Sequence, residues 1–373
     1  MKRKEKVVDM LVSGVGAKMK KNKVTVVKEI ATIQERNSEG FVIEAAGETY
    51  TGEQLLIATG SVPIVPGIEG LKESIEADFT MTNREILQLM EVPQKLTVIG
   101  GGVIGLEMAS YYVAAGSDVT VIEMLDHIAG QTDTDIGLIL KKSLEKKGIK
   151  FLLESKVMSV AKGLVTYEKA GNQVTTQGDK ILLSIGRRAF TEDLGLDNIG
   201  VETVRGTVPT DALGRTNISG VYAAGDVNGK SMLAHTAYRE AEVCINTILH
   251  KKDYMRYSAI PSVIYTYPEV ASVGETESKA LEKGMDVKTV QLPMIYSGRY
   301  VAETEKGDGI VKVIVDAKYN RIIGVHMIGS YVSEMIYGAG LMIETELRIE
   351  DIKELVFPHP TVSEVIREAL FEL

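Results

Sequence analysis

The stretch Leu96-Thr97-Val98-Ile99-Gly100-Gly101-Gly102-Val103-Ile104-Gly105 decides how the chain is read. A short apolar run passes straight into G-x-G-x-x-G, the pattern of a buried strand, a tight turn and a helix N-terminus. Each glycine has a mechanical reason. Gly100 allows the turn, Gly102 lets backbone amides approach a pyrophosphate, and Gly105 lets the helix pack close to the strand. A helical stretch follows, then Val119-Thr120-Val121-Ile122, then Glu123, about where the dinucleotide fingerprint places its ribose-binding acid. The pattern predicts that NAD sits on Gly100, Gly101, Gly102, Val103, Ile104 and Gly105. A carboxylate at Glu123 would accept from the ribose hydroxyls and repel a 2′-phosphate, favouring NAD over NADP. A glycine-rich turn between core elements is the alternative for the turn alone.

Outward from this stretch, residues 96 to 153 alternate strand and helix, with a helix from about Asp133 to Lys147 and a strand at Ile149 to Leu153. That alternation predicts a parallel sheet and an α/β unit. Upstream, β-like runs at Val24 to Val27, Phe41 to Ala45 and Leu55 to Ala58 read as antiparallel, and the two prolines in 61–67 mark a linker. The first twenty residues place Val7, Val8, Leu11, Val12, Val15 and Met19 on one helical stripe. Lys2, Arg3, Lys4 and Lys6 crowd the end of this helix where the macrodipole favours negative charge, and no cap precedes Val7. Either a charged, frayed terminus or a helix cut off from something upstream explains that. Downstream, the apolar strand Val221-Tyr222-Ala223-Ala224 ends at Gly225-Asp226, and a helix runs from about Leu233 to Leu249. From Pro261 onward a hairpin, Ile310 to Val315 with Ile322 to Ile328, followed by helices, predicts a third, α+β domain.

Composition narrows the function classes. The 373 residues suffice for two to three domains, with 45% hydrophobic and 25% charged residues, as in ordinary globular proteins. The net charge of -9, from 42 Lys plus Arg against 51 Asp plus Glu, opposes nucleic-acid binding. No apolar run has the length to span a bilayer and the N-terminus lacks a signal-peptide core, so a cytoplasmic location without membrane contact is the default expectation. The five histidines show no metal-site spacing, and the single cysteine, Cys244, rules out a disulfide within one copy of the chain. Cys244, in an apolar helical stretch, reads as a core residue.

Further motifs carry a family resemblance: Ala58-Thr59-Gly60-Ser61, Gly100 to Glu107, Ser184-Ile185-Gly186-Arg187-Arg188, Gly225-Asp226 with Met232-Leu233-Ala234-His235, and His359-Pro360-Thr361-Val362-Ser363-Glu364. Together the chain resembles the flavoprotein disulfide reductases, above all the dihydrolipoamide dehydrogenases, over essentially its whole length. The resemblance implies an α/β FAD/NAD(P)-linked reductase architecture: a Rossmann-like NAD domain at 67–188, an incomplete FAD domain at 1–66 and 189–258, and a dimerisation domain at 259–373. It implies FAD near Thr59, Gly60 and Ser61, with Asp226 on the ribityl hydroxyls and Met232, Leu233, Ala234 and His235 opening a helix toward the flavin. Taken alone, Asp226 would be a turn or cap residue. Glu107 would lie beside the nicotinamide, or else be a solvated helix residue, and Gly186 and Val157 would line the nucleotide, Val157 otherwise being core. His359 would be the acid/base, supplied across a homodimer interface, with Glu364 as its orienting carboxylate. Without the resemblance, Thr361-Val362-Ser363-Glu364 reads as a capping box. The implied substrate is dihydrolipoamide, and the implied partner a 2-oxo acid dehydrogenase or glycine cleavage complex.

Two parts of the family pattern are missing. Gly14-Val15-Gly16 follows no strand and has Met19 where a third glycine belongs, so it does not replace the FAD fingerprint. The cysteine pair, and the lysine that pairs with the equivalent of Glu107, are also absent. The expectation is a family member lacking its N-terminal FAD-fingerprint and redox-cysteine segment, unable to carry out dithiol chemistry by itself. The alternatives are a catalytically incomplete NAD-binding dimeric protein, and a related flavin enzyme such as an NADH oxidase.

Overall fold

Leu96, Thr97, Val98 and Ile99 are all buried, as befits a central parallel strand whose two faces are both covered. The computed structural model describes residues 1–373, in two units: Met1–Val62 with Arg187–Arg256, and Pro63–Gly186 with Tyr257–Leu373. In the second unit, Lys95–Ile99 lies at the middle of a five-stranded parallel sheet. The order is Thr80–Met81, Lys180–Leu183, Lys95–Ile99, Asp118–Ile122, Lys150–Leu152. Helices Val103–Ala114 and Thr134–Lys146 follow its strands, the second capped by Asp133, whose carboxylate accepts from the Asp135 amide at 3.1 Å. A three-stranded antiparallel sheet, Ser155–Ala161, Leu164–Lys169 and Asn172–Gln177, branches from it.

The C-terminal part of the same unit is a five-stranded antiparallel sheet around the hairpin Ile310–Asp316 and Arg321–Gly329, covered by helices Val332–Glu344 and Glu364–Phe371. The sequence separates this region from the α/β part as its own domain. The two regions pack on each other, since Ile264, Val270, Ile310 and Ile328 share one buried cluster with Leu96, Val98, Leu140 and Leu144. Burial of that common apolar surface is the main force holding them together.

The other unit holds the antiparallel strands Ala31–Asn37, Gly40–Ala45 and Glu48–Gly52, and a separate parallel pair, Leu55–Ile57 with Val221–Ala223. Three expectations are corrected here. Val24 to Val27 is not a strand, since no strand of the chain pairs with it and its valines are exposed. Leu55 to Ala58 does not extend the antiparallel set but pairs in parallel with a partner 166 residues on (Leu55 with Val221), a long-range contact invisible to local pattern. The supposed linker begins with a strand, Ser61–Pro63, laddered to Arg187–Ala189. Proline is tolerated there because each strand of a two-stranded ladder has a free edge.

Helix Lys2–Lys21 forms as its stripe predicts, with no side-chain cap at Met1 and no buried residue. No helix of the chain is long and apolar enough to cross a membrane. Helix Ala234–Ile248 packs on Tyr222 and Ala224 through Cys244, which is fully buried. Burial pushes the Cys244 thiol up to about 11, so almost none of it is thiolate at neutral pH.

Candidate functional site

The glycine turn is closed by the groups that flank it. Gly100 has φ +105°, and a Cβ there would lie 2.3 Å from the Ser184 carbonyl oxygen. A Cβ at Gly105 would lie 2.2 Å from the Gly100 carbonyl oxygen, so the helix sits as near the strand as backbone allows. At Gly101 the missing side chain admits Glu123. One carboxylate oxygen accepts from the Gly101 amide at 2.6 Å and the other from the Leu125 amide at 2.9 Å. Gly102 is the N-cap of helix Val103–Ala114, and no side chain accepts from the helix's first amides. A Cβ at Gly102 would meet nothing within 4 Å. The turn is packed on its protein side and open over Gly102, where Val103 is exposed and Ile104 half-buried. Unsatisfied helix N-terminal amides facing open space form an anion seat.

Glu107, four residues into the helix after Val103, is half-buried rather than solvated, and its carboxylate accepts from the Tyr265 amide at 2.9 Å. Burial pushes its carboxyl up, with the Tyr265 amide acting in opposition. Gly186 has φ +122° and its carbonyl accepts from the Ile64 amide at 3.1 Å, in the segment that begins at Ser184 against Gly100. Val157 is buried in one cluster with Leu71, Ile99, Ile122 and Leu183.

At the C-terminal end, His359 is exposed and its Nδ1 lies 2.6 Å from Glu364 Oε1. Glu364 Oε2 accepts from the Thr361 amide at 2.8 Å. The Thr361 amide, and then His359, hold the Glu364 carboxyl below its usual range. An ionised carboxylate is acceptor only, so Nδ1 donates to it, and Nε2 is the ring nitrogen that Glu364 does not engage. Ser297 steadies the segment by donating to the Thr361 carbonyl at 2.9 Å. The capping-box alternative is corrected. Glu364 is the first residue of helix Glu364–Phe371, the N-cap is Ser363 with no side-chain cap, and the Thr361 hydroxyl donates to the Pro358 carbonyl. Glu364 still takes up a backbone amide, but with the oxygen that His359 does not use.

In the first unit, Thr59 Oγ1 donates to the Phe190 carbonyl at 2.6 Å, and the Phe190 amide donates to the Gly60 carbonyl at 2.9 Å. Ser61 Oγ donates to Asp226 Oδ2 at 2.5 Å. Arg187 donates from Nε to Ser61 Oγ and from Nη2 to the Ser61 carbonyl, each at 2.7 Å. Asp226 opens a short 3-10 turn, Asp226–Asn228. Met232 and Leu233 lead into helix Ala234–Ile248, whose first turn holds His235 and whose N-cap, Leu233, offers no side-chain acceptor. Arg187 was not singled out from sequence as a site residue, although it stands in the quoted Gly186-Arg187-Arg188 motif.

With this geometry in hand, residues 2–241 match the family model described as pyridine nucleotide-disulphide oxidoreductase, and residues 260–370 match its dimerisation domain. The chain belongs to this oxidoreductase family. It is 38% identical to the dihydrolipoyl dehydrogenase of Cupriavidus necator, over 99% of this chain and 78% of that one. It is 37% identical to the mitochondrial dihydrolipoyl dehydrogenase of Pisum sativum, over 99% of this chain and 74% of the relative. A leghemoglobin reductase of Glycine max matches at 38%, over 99% and 71%. Among solved structures, the Cu(II) complex of the HOCl-induced flavoprotein disulfide reductase RclA from Escherichia coli superposes with a TM-score of 0.89 at 26% identity, covering 100% of this chain and 85% of that one. LpdA from Mycobacterium tuberculosis, at 24% identity and a TM-score of 0.87 over 98% and 81%, shares the fold.

For this oxidoreductase, the His359–Glu364 pair has a measurable signature. Glu364 has a folded-state pKa below its ordinary 4.5, so its stabilising contribution is present above that value and is lost as pH falls through the lowered one. Glu364→Gln is expected to be less stable than wild type at neutral pH, with the gap closing below about pH 4. Urea denaturation at several pH values checks this; a pH-independent gap would contradict it.

Proposed function

We propose that this dihydrolipoyl dehydrogenase-type oxidoreductase supplies, from its own residues, the NAD site and the acid–base pair of the reaction, and no thiol pair. The observation that carries the first part is the Gly100–Gly105 turn closed by Glu123 and open over Gly102. The residues fit NAD: the amides from Gly102 to Gly105 would hold the pyrophosphate, Gly101 would keep Glu123 in place for the ribose, and Glu107, Val157 and Gly186 would lie toward the rest of the nucleotide. Bound there, NAD supplies a hydride acceptor at its nicotinamide.

His359 would take a thiol proton of dihydrolipoamide at Nε2 while Glu364 holds its tautomer and steadies the imidazolium that forms. The exposed ring and the dimerisation domain support a homodimer in which His359 serves the partner's site. A protein-bound lipoyl group of a 2-oxo acid dehydrogenase or glycine cleavage complex is the corresponding partner.

FAD fits only in part. Ser61 and Asp226 suit the ribityl hydroxyls, and the uncapped start of helix Ala234–Ile248, with Met232, Leu233, Ala234 and His235, suits the flavin ring. Thr59 and Gly60 fix the backbone beside them. Nothing in that unit suits the FAD pyrophosphate: Gly14 and Gly16 lie inside helix Lys2–Lys21, open to solvent, and follow no strand. No step is therefore assigned through the flavin. Cys244, the chain's one cysteine, is buried with its thiol pushed up to about 11, which favours the second reading, an NAD-binding dimeric protein without redox turnover of its own.

The expected result is that the purified chain, given dihydrolipoamide, NAD and added FAD, forms no NADH above the rate without protein. Absorbance at 340 nm follows this. Dihydrolipoamide-dependent turnover that Cys244→Ser leaves intact would overturn the missing thiol step.

A further inference from the structure

Helix Thr134–Lys146 ends beside a cavity of about 210 Å³ in the second unit, walled by Ile139 and Lys147 on the helix side and by Tyr267, Tyr300 and Lys306 opposite. We propose that this cavity binds a small planar anion, a carboxylate carried on a single aromatic ring.

Size sets the first limit. Pockets for drug-sized ligands occupy roughly 300–1,000 Å³, while a cavity of about 150 Å³ accepts benzene, so this one takes one ring with an acid group and excludes a dinucleotide. Chemistry sets the second. The Lys147 ammonium lies 4.1 Å from the centroid of the Tyr267 ring, which is itself largely exposed, so a cation and an aromatic surface are offered at one place. Lys146 is ion-paired with Asp308, which leaves Lys147 and Lys306 as the surplus positive charge of the rim, in a chain whose net charge is -9. Tyr300 is buried, with its phenol oxygen against Gly307 and Gly309, and its hydroxyl proton is available to donate to a bound carboxylate.

The site is separate from the glycine turn and adds a second tie at the far end of its helix. Asp133, the N-cap at the other end, about 20 Å away along thirteen residues of helix, is ion-paired with Lys312 of the C-terminal sheet. A ligand lodged between Lys147 and Tyr300 would join the same two parts of the unit at the helix's C-terminal end.

The test is calorimetric titration of the full chain with benzoate. Saturable, one-to-one binding is expected, about tenfold weaker in Lys147→Ala and in Tyr267→Leu and unaffected by saturating NAD. Both substituted residues are exposed, and circular dichroism checks that the variants are folded; Lys306→Glu, also exposed, gives an independent loss of affinity. Benzamide, which lacks the charge, and cyclohexanecarboxylate, which lacks the flat ring, are expected to bind several-fold more weakly than benzoate. Equal affinity in wild type and Lys147→Ala, equal binding of either analogue, or displacement by NAD or by inorganic phosphate would each overturn the proposal.

Discussion

Replacing Gly105 with alanine is expected to weaken NAD binding by on the order of 100-fold and to cost about 2–3 kcal/mol of stability. The added Cβ would sit 2.2 Å from the Gly100 carbonyl oxygen, 3.1 Å from Val98 Cγ1 and 3.3 Å from Ser184 Oγ. The first of these is backbone within the turn itself and cannot rotate away. The helix must back off, and its amides leave the place where the pyrophosphate would lie. Gly102→Ala separates the two effects. Its Cβ meets no protein atom within 4 Å, so stability should be nearly unchanged, while the methyl enters the space over the open amides and NAD binding should fall. Chemical denaturation and NAD titration of both variants check the pair. A Gly102→Ala protein that binds NAD normally would place the ligand elsewhere.

Lys312→Met is expected to cost about 3 kcal/mol, among the largest single-residue effects in the second unit. The lysine lies in a wholly buried strand, and its ammonium is 2.7 Å from Asp135, 2.9 Å from Glu277 and 3.1 Å from Asp133. Asp133 is buried as well, so removing the cation leaves an anion without its counter-charge, whereas Asp135 and Glu277 can turn to water. That places the cost at the lower end of the range for a broken buried pair. Despite burial, the three carboxylates raise the Lys312 pKa above its ordinary 10.5. Its stabilising contribution is therefore fully present below 10.5 and is lost only as pH rises through the raised value, so the deficit should not change between about pH 7 and 9. The paired residue across the strand, His326, donates from Nε2 to the Glu275 carbonyl at 2.8 Å, and burial lowers its pKa, so it stays neutral and adds no competing charge. Urea denaturation measures the loss; a cost under about 1 kcal/mol would mean that the cluster is solvated.

These cases show what was legible in the sequence. The turn at Gly100 could be read because strand, glycines, helix and acid follow one another locally, and each follows from backbone geometry. Helices Thr134–Lys146 and Ala234–Ile248 and the C-terminal hairpin were legible for the same reason. The Lys312 cluster was not, because its partners come from two segments far from it in sequence, Asp133 with Asp135 and Glu277; a lysine inside Ile310-Val311-Lys312-Val313-Ile314-Val315 was the only hint, since buried lysines need partners. Likewise Val24 to Val27 has strand composition but no neighbouring strand, and Ser61–Pro63 gains its pairing from Arg187–Ala189, more than a hundred residues away. Glu364 shows a different limit. From sequence its orienting and capping roles read as alternatives, yet a carboxylate has two oxygens and serves His359 and the Thr361 amide together.

Calorimetric titration of the chain with NAD and with NADP, repeated on Glu123→Ala, tests the nucleotide assignment most directly. The account predicts saturable binding of NAD, at least about tenfold weaker binding of NADP, and loss of that preference when the Glu123 carboxylate is removed. No saturable NAD binding, or equal affinity for the two nucleotides in the wild-type chain, would contradict it.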